Sequence, residues 1–163
     1  MLIYLLRHGI AIDREDPDCP PDFERYLTDK GKERTRAAAR GLAALGVAPE
    51  LILSSTYVRA RETAEIAAEE LDLAPTVIEL TEALVPEAGP QRILREAAGR
   101  KLGTVLCTGH APNLDLVIAE AVGHELAPFT SLKKAGVACL DVDEHGGQLL
   151  WLLPPKVLRA LSR

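Results

Sequence analysis

The chain has 163 residues, 47% of them hydrophobic and 26% charged, a balance that fits one globular domain with its own core and excludes disordered and collagen-like classes. Nineteen basic residues stand against 24 acidic ones, and the net charge of −5 argues against nucleic-acid binding through a general basic face. The apolar opening at residues 2–6 meets Arg7 and His8 too soon for a signal-peptide core, and no apolar run reaches the ~20 residues of a membrane span, so a cytoplasmic address is expected.

Residues 2–6 are strand formers without alternation, the pattern of a central parallel strand covered on both faces. Acidic residues and three prolines crowd residues 13–23, which predicts a long loop. Cys19 falls in that loop, whereas Cys107 and Cys139 read as buried small hydrophobes; the three cysteines form no CxxC pair. Thr28 is placed to cap a helix running to about Leu45, with Ala37, Ala38, Leu42 and Leu45 on its apolar face and Gly46 as its stop. Leu51-Ile52-Leu53 reads as a second buried strand. Ser54-Ser55-Thr56 offers caps for a helix over about 58–71, with Ala60, Ala64, Ile66, Ala67 and Leu71 at partly helical spacing. Thr76-Val77-Ile78 predicts a third strand, and Pro90 opens a short helix ending near Gly99. Residues 104–108 form the fourth strand and deliver Gly109-His110, after which Asn113 is a cap candidate for a helix through Val122. Residues 137–142 and 148–153 flank Asp143-Glu144-His145-Gly146-Gly147 as a hairpin, and Pro154-Pro155 opens a last short helix.

Alternating strands and helices with a closing hairpin specify a three-layer α/β/α sandwich: one domain over residues 1–163, its mixed sheet mostly parallel with a C-terminal antiparallel hairpin. Ligands of such sheets gather beyond the carboxyl ends of the strands. Three predicted strand ends lead into Arg7-His8-Gly9, Arg59 and Gly109-His110. Two arginines and two histidines make an anion site, because a guanidinium holds phosphate through two parallel hydrogen bonds and stays charged. A phosphoryl group is the natural ligand: arginines neutralise its equatorial oxygens while a neutral imidazole, favoured by surrounding cations, attacks phosphorus in line. Competing phosphate chemistries find no support, since Gly31-Lys32-Glu33 lacks the P-loop spacing, no GxGxxG occurs, and Asn113 stands where a Cys-x5-Arg phosphatase built on Cys107 needs arginine.

Leu6-Arg7-His8-Gly9, the stretch Ser54-Ser55-Thr56-Tyr57-Val58-Arg59-Ala60-Arg61-Glu62-Thr63-Ala64, and Thr108-Gly109-His110-Ala111-Pro112-Asn113-Leu114 follow three strands in order. With these motifs the chain resembles the histidine phosphatase superfamily, also called phosphoglycerate mutase-like, over nearly its whole length. Tyr26-Leu27-Thr28-Asp29-Lys30-Gly31 and the short length are most similar to the SixA-type phosphohistidine phosphatase branch. The resemblance implies a phosphoglycerate mutase-like fold, His8 as the nucleophile that is transiently phosphorylated, Arg7, Arg59 and His110 as the rest of a catalytic, phosphate-binding pocket, and no metal or other cofactor. It also implies a two-step double displacement that ends in inorganic phosphate.

One departure bears on the substrate. Many ester-cleaving members carry an acidic proton donor in a Leu-x-Glu pattern after the third strand, whereas this chain reads Glu82-Ala83-Leu84-Val85-Pro86, with Pro86 at the acid's position. A departing alkoxide needs a general acid; imidazole leaving phosphohistidine is far less basic, so the missing acid favours a phosphoramidate. Glu82, Glu87 or His110 are the substitute proton sources. The expected partner is a phosphohistidine-containing phosphorelay protein; the alternatives are a small phosphorylated molecule hydrolysed by a phosphomonoesterase, and a noncatalytic phospho-ligand-binding module. A monomer that binds neither nucleic acid nor membrane is expected.

Plainer roles stand beside these. Arg59 by itself would pair with Glu62 or Glu65, and Arg61, about 200° further round the helix, should face away from the site. His124 and His145 are expected in solvent. Lys133-Lys134 reads as a solvated surface or a contact for an acidic partner, and the acidic segment over residues 13–22 as a solvated loop or the lining of the site's entrance.

Overall fold

In the computed structural model, which describes residues 1–125 and 127–162, the apolar runs become one sheet of six strands: β1 (Leu2–Arg7), β2 (Leu51–Ser55), β3 (Ile78–Thr81), β4 (Thr104–Gly109), β5 (Val137–Asp143) and β6 (Gly146–Leu153). Their order is β3-β2-β4-β1-β5-β6; the first four are parallel, and β5 runs antiparallel to both β1 and β6. The helices are α1 (Asp29–Ala44), α2 (Val58–Glu70), α3 (Pro90–Gly99), α4 (Asn113–Ala121) and α5 (Pro155–Leu161). None of them is long and apolar enough to cross a membrane.

Because successive side chains of a strand point to opposite faces, the unbroken apolar runs supply two cores. Ile3, Leu5, Leu53, Val105 and Cys107 pack with Ile93, Leu114 and Ile118 of α3 and α4. Tyr4, Leu6, Ile52 and Leu106 pack on the other face with Ala38, Leu42, Ala64, Ala67 and Leu158 of α1, α2 and α5. This is the expected three-layer α/β/α sandwich.

Several local expectations shift. The third strand starts at Ile78, because Pro75–Val77 forms a 3-10 turn instead of extending the edge. Thr28 caps α1 as expected, accepting from the Gly31 N–H at 3.0 Å. Leu45, however, is exposed; Gly31, Thr35 and Gly41 fill the buried stripe, letting α1 approach its neighbours closely. An added Cβ on Gly31 would run into the Ile10 carbonyl, and one on Gly41 into that of Leu158. Neither Ser54, Thr56 nor Asn113 caps a helix: Tyr57 and Pro112 hold those positions without side-chain caps. In the hairpin the strands run on to Asp143 and Gly146, and Asp143 accepts from the N–H groups of His145 and Gly146, as a turn-forming Asp does.

Candidate functional site

The neighbouring strands β2, β4 and β1 end together, and their carboxyl ends open into a crevice of about 840 Å³. Arg7 lies opposite Gly109 across the β1–β4 ladder, and the His8 N–H continues it to the Gly109 carbonyl at 2.9 Å. The rings of His8 and His110 thus come within 5.2 Å of each other, and Arg7, His8, Arg59 and His110 all line the crevice.

Each of the four is held from outside. His8 Nδ1 lies 2.7 Å from the Gly9 carbonyl, an acceptor only, so Nδ1 carries the proton and Nε2 keeps its lone pair. Thr63 ties the Arg59 helix to this loop: its hydroxyl donates to the Arg59 carbonyl (2.7 Å) and accepts from the Gly9 N–H (3.1 Å). Arg7 donates to the Leu132 carbonyl at 2.8 Å, and the Leu132 N–H in turn donates to the buried Asp115 carboxylate at 3.0 Å. Arg59 donates to the Asp22 carbonyl (2.7 Å) and meets the Asp22 carboxylate (3.4 Å). His110 Nε2 lies 2.8 Å from the Ser55 hydroxyl, which already accepts from the Tyr57 N–H at 3.3 Å. The His110 ring is thus anchored through Nε2, and its buried Nδ1 has no protein partner among the described residues.

Electrostatics keep both imidazoles neutral. Burial pushes His8 down to about 2, with the charges of His110, Arg59 and Arg7 adding to it and the Gly9 hydrogen bond opposing. Burial and Arg59 push His110 down to about 3, against the attraction of Asp22. The cations expected to favour neutrality do so, but burial is the larger cause. Asp22 resists its own partial burial, and the hydrogen bond from Arg25 with the charges of Arg59 and Arg14 holds its carboxyl below the usual range. Burial also pushes the pKa of the Arg7 and Arg59 guanidiniums down, though both stay charged at any physiological pH.

The surrounding residues divide. Arg59 pairs with neither Glu62 nor Glu65; Arg61 is exposed and takes Glu65 at 3.7 Å. Pro86 and the exposed Glu87 reach the crevice wall, whereas Glu82 is exposed and does not line it. Asn113, expected as a cap, instead donates to the Ala88 carbonyl and straps down the loop carrying Glu87. Asp13, Asp16 and Asp22 of the acidic loop line the crevice, as does Lys134. His124 and His145 are exposed, Cys107 and Cys139 are buried, and Cys19 is half-buried. Sequence reasoning missed Asp22, Ser55, Thr63 and Asp115 as holders of the site. Thr63 and Ser55 lie inside the motif stretch and had a signal to follow; Asp22 falls in the acidic segment read as a solvated loop or an entrance lining, but nothing local points to its contact with Arg59.

Comparison with known proteins bears on the family and the fold. The profile of the histidine phosphatase superfamily (branch 1) matches residues 3–85. An uncharacterized protein of Picosynechococcus sp. is 40% identical over 94% of this chain and 95% of its own length. Phosphohistidine phosphatase SixA of Escherichia coli is 29% identical over 95% of this chain and 94% of its own. A structure of the protein histidine phosphatase SixA complexed with tungstate superimposes with a TM-score of 0.86 at 27% identity, covering 97% of this chain and 99% of that one.

Proposed function

The chain belongs to the histidine phosphatase superfamily, among its SixA-like members, and on that premise we propose that it removes the phosphoryl group from phosphohistidine on a phosphorelay protein by way of a phosphorylated His8. The observation that carries the reading is the fixed tautomer of a neutral His8, whose Nε2 lone pair is free in a crevice walled by two arginines and a second neutral histidine.

In the first step Nε2 attacks phosphorus, the P–N bond of the substrate breaks, and the departing imidazole takes a proton from solvent. In the second, water attacks phospho-His8, the P–Nε2 bond breaks, and inorganic phosphate leaves. Arg7 and Arg59 counter the charge on the equatorial oxygens in both steps, and His110 on the crevice wall hydrogen-bonds one of them. As a neutral ring it acts through that hydrogen bond, not through charge. Pro86 on the crevice wall supports a leaving group that departs without a carboxylic acid. On this reading the enzyme is a monomer with one domain over residues 1–163, working in the cytoplasm.

Glu87 favours a second reading, since it reaches the crevice and would serve as the acid of a small-molecule phosphomonoesterase. The deciding experiment compares kcat/KM for a phosphohistidine phosphotransfer protein with that for an alkyl phosphate, with His8→Ala as control and an acid-quench assay for phospho-His8. A protein preference lost in His8→Ala is expected. Faster ester turnover that collapses in Glu87→Gln would establish the second reading, and tight phosphate binding without phospho-His8 would mark a noncatalytic module.

A further inference from the structure

A second cationic pocket, open to solvent with Arg34, Lys133 and Lys134 exposed at its rim, lies against the crevice, and the proposed reaction leaves it unused. Its volume is about 440 Å³; Arg7, Arg34, Lys133, Lys134 and Arg159 line it beside Thr35, and among the described residues no carboxylate stands in its wall. Arg7, Ile10 and Lys134 line both spaces, so the two share a partition.

The cations converge from three parts of the chain. Arg34 stands on α1 one turn beyond Gly31, and Arg159 on α5 one residue beyond Leu158, where Gly41 lets α1 and α5 touch. Lys133 and Lys134 belong to a turn closed by Gly136 N–H donating to the Lys133 carbonyl at 2.7 Å. That turn is pinned to the catalytic strand, because the Ala135 N–H, from a residue at φ 61°, donates to the Arg7 carbonyl at 3.0 Å.

The electrostatics of this wall are unbalanced. Seven other arginines meet carboxylates, including Arg36 with Glu69 and Glu70, Arg100 with Glu79 and Glu96, and Arg14, Arg25 and Arg59 with Asp22, while Arg92 and Arg95 of α3 stand apart from acids among the described residues without being gathered into a cavity. Among the described residues no ion pair joins Arg34, Lys133, Lys134 or Arg159 to an acid, in a chain with five more acidic than basic residues. Arg7, which lines this wall, also has a buried Nε without a protein partner among the described residues. Clustered like charges repel, and a bound anion relieves that repulsion while arginine forks fix its oxygens.

We propose that this cavity is a second anion subsite, which takes a phosphate or carboxylate group across Arg7 from the phosphoryl group at His8. Arg34 and Arg159 supply the forks and Lys134 spans the partition. The anion belongs either to the molecule that carries the transferring phosphoryl group or to a separate ion. The inference goes beyond the proposed turnover, since it concerns binding at residues outside the catalytic set apart from the shared Arg7.

Calorimetric titration of the full chain with inorganic phosphate at low salt tests it. Two binding events are expected, one weakened at least tenfold in Arg34→Gln/Arg159→Gln and the other weakened in Arg59→Ala. A single event left unchanged by Arg34→Gln/Arg159→Gln overturns the proposal, whatever the phospho-His8 assay shows. Propane-1,3-diyl bisphosphate identifies the source. Tighter 1:1 binding than propyl phosphate, by tenfold or more and lost in the double variant, means one molecule spans both sites; two phosphate events without that advantage mean separate ions.

Discussion

Neutral His8 and His110 make the site a source of acid sensitivity. Unfolded histidine titrates near 6.5, whereas burial holds these two at about 2 and about 3 in the fold. Over the intervening range the unfolded chain binds more protons, so their contribution to stability is complete above about pH 6.5 and is lost as pH falls toward 3. Between about pH 4.5 and 6.5, above the carboxylate range, each contributes a slope of up to about 1.4 kcal/mol per pH unit. Urea denaturation across that window should show stability rising with pH, and His110→Gln should flatten the slope by up to that amount. An unchanged slope would mean that His110 is protonated in the fold. Thr63 is the second residue of consequence, because it alone joins the Gly9 N–H to the Arg59 carbonyl. Thr63→Val keeps the shape and strands a buried N–H, at a cost of about 1–3 kcal/mol in urea denaturation. Thr63→Ser, which restores the hydroxyl, should recover most of it.

At the scale of elements, α1 reverses the usual helix rule. Alanine ordinarily stabilises a helix interior by about 1 kcal/mol over glycine. At Gly31 the added methyl meets the rigid Ile10 carbonyl beside the catalytic loop, and overpacking of this kind costs about 1–3 kcal/mol. Gly31→Ala is therefore expected to lower the unfolding free energy by up to about 2 kcal/mol. Gly99→Ala in α3, where nothing lies within 4 Å of the new atom, should not. Equal effects at the two positions would refute this account of close approach. The same distinction explains what was legible in the sequence. β1, β2 and β4 are apolar on both faces and could be read directly, and with them the ends that carry Arg7, His8, Arg59 and His110. β3 is a four-residue edge with Glu79 and Leu80 exposed, so it offers no period, and its start was misplaced. Ser55 and Asn113 have the chemistry of caps, but their side chains are spent on His110 and Ala88. Those partners lie 55 and 25 residues away, beyond what local pattern encodes.

Across the whole molecule, a net charge of −5 coexists with a crevice lined by Arg7, Arg14, Arg25, Lys30, Arg59 and Lys134 against Asp13, Asp16, Asp22 and Glu87. The acidic loop is thus part of the crevice wall, and Asp22 sets its charge balance. Its carboxylate contacts Arg14 and Arg25 at 3.2 Å and Arg59 at 3.4 Å, the last being a guanidinium that a bound phosphate also needs. Two effects compete when that charge is removed. Orientation of Arg59 would suffer if the carboxylate held it, but the shorter bond, at 2.7 Å, goes to the Asp22 main-chain carbonyl, which Asp22→Asn retains. Repulsion between carboxylate and phosphate is removed outright, and at partial exposure one such charge amounts to about 1 kcal/mol, a factor of about five. Asp22→Asn should therefore lower the inhibition constant of inorganic phosphate about fivefold at low salt, with the difference shrinking as salt is raised. Competitive inhibition measured at two ionic strengths checks both parts. A weaker phosphate affinity in the variant would instead make the carboxylate the element that aims Arg59 into the crevice.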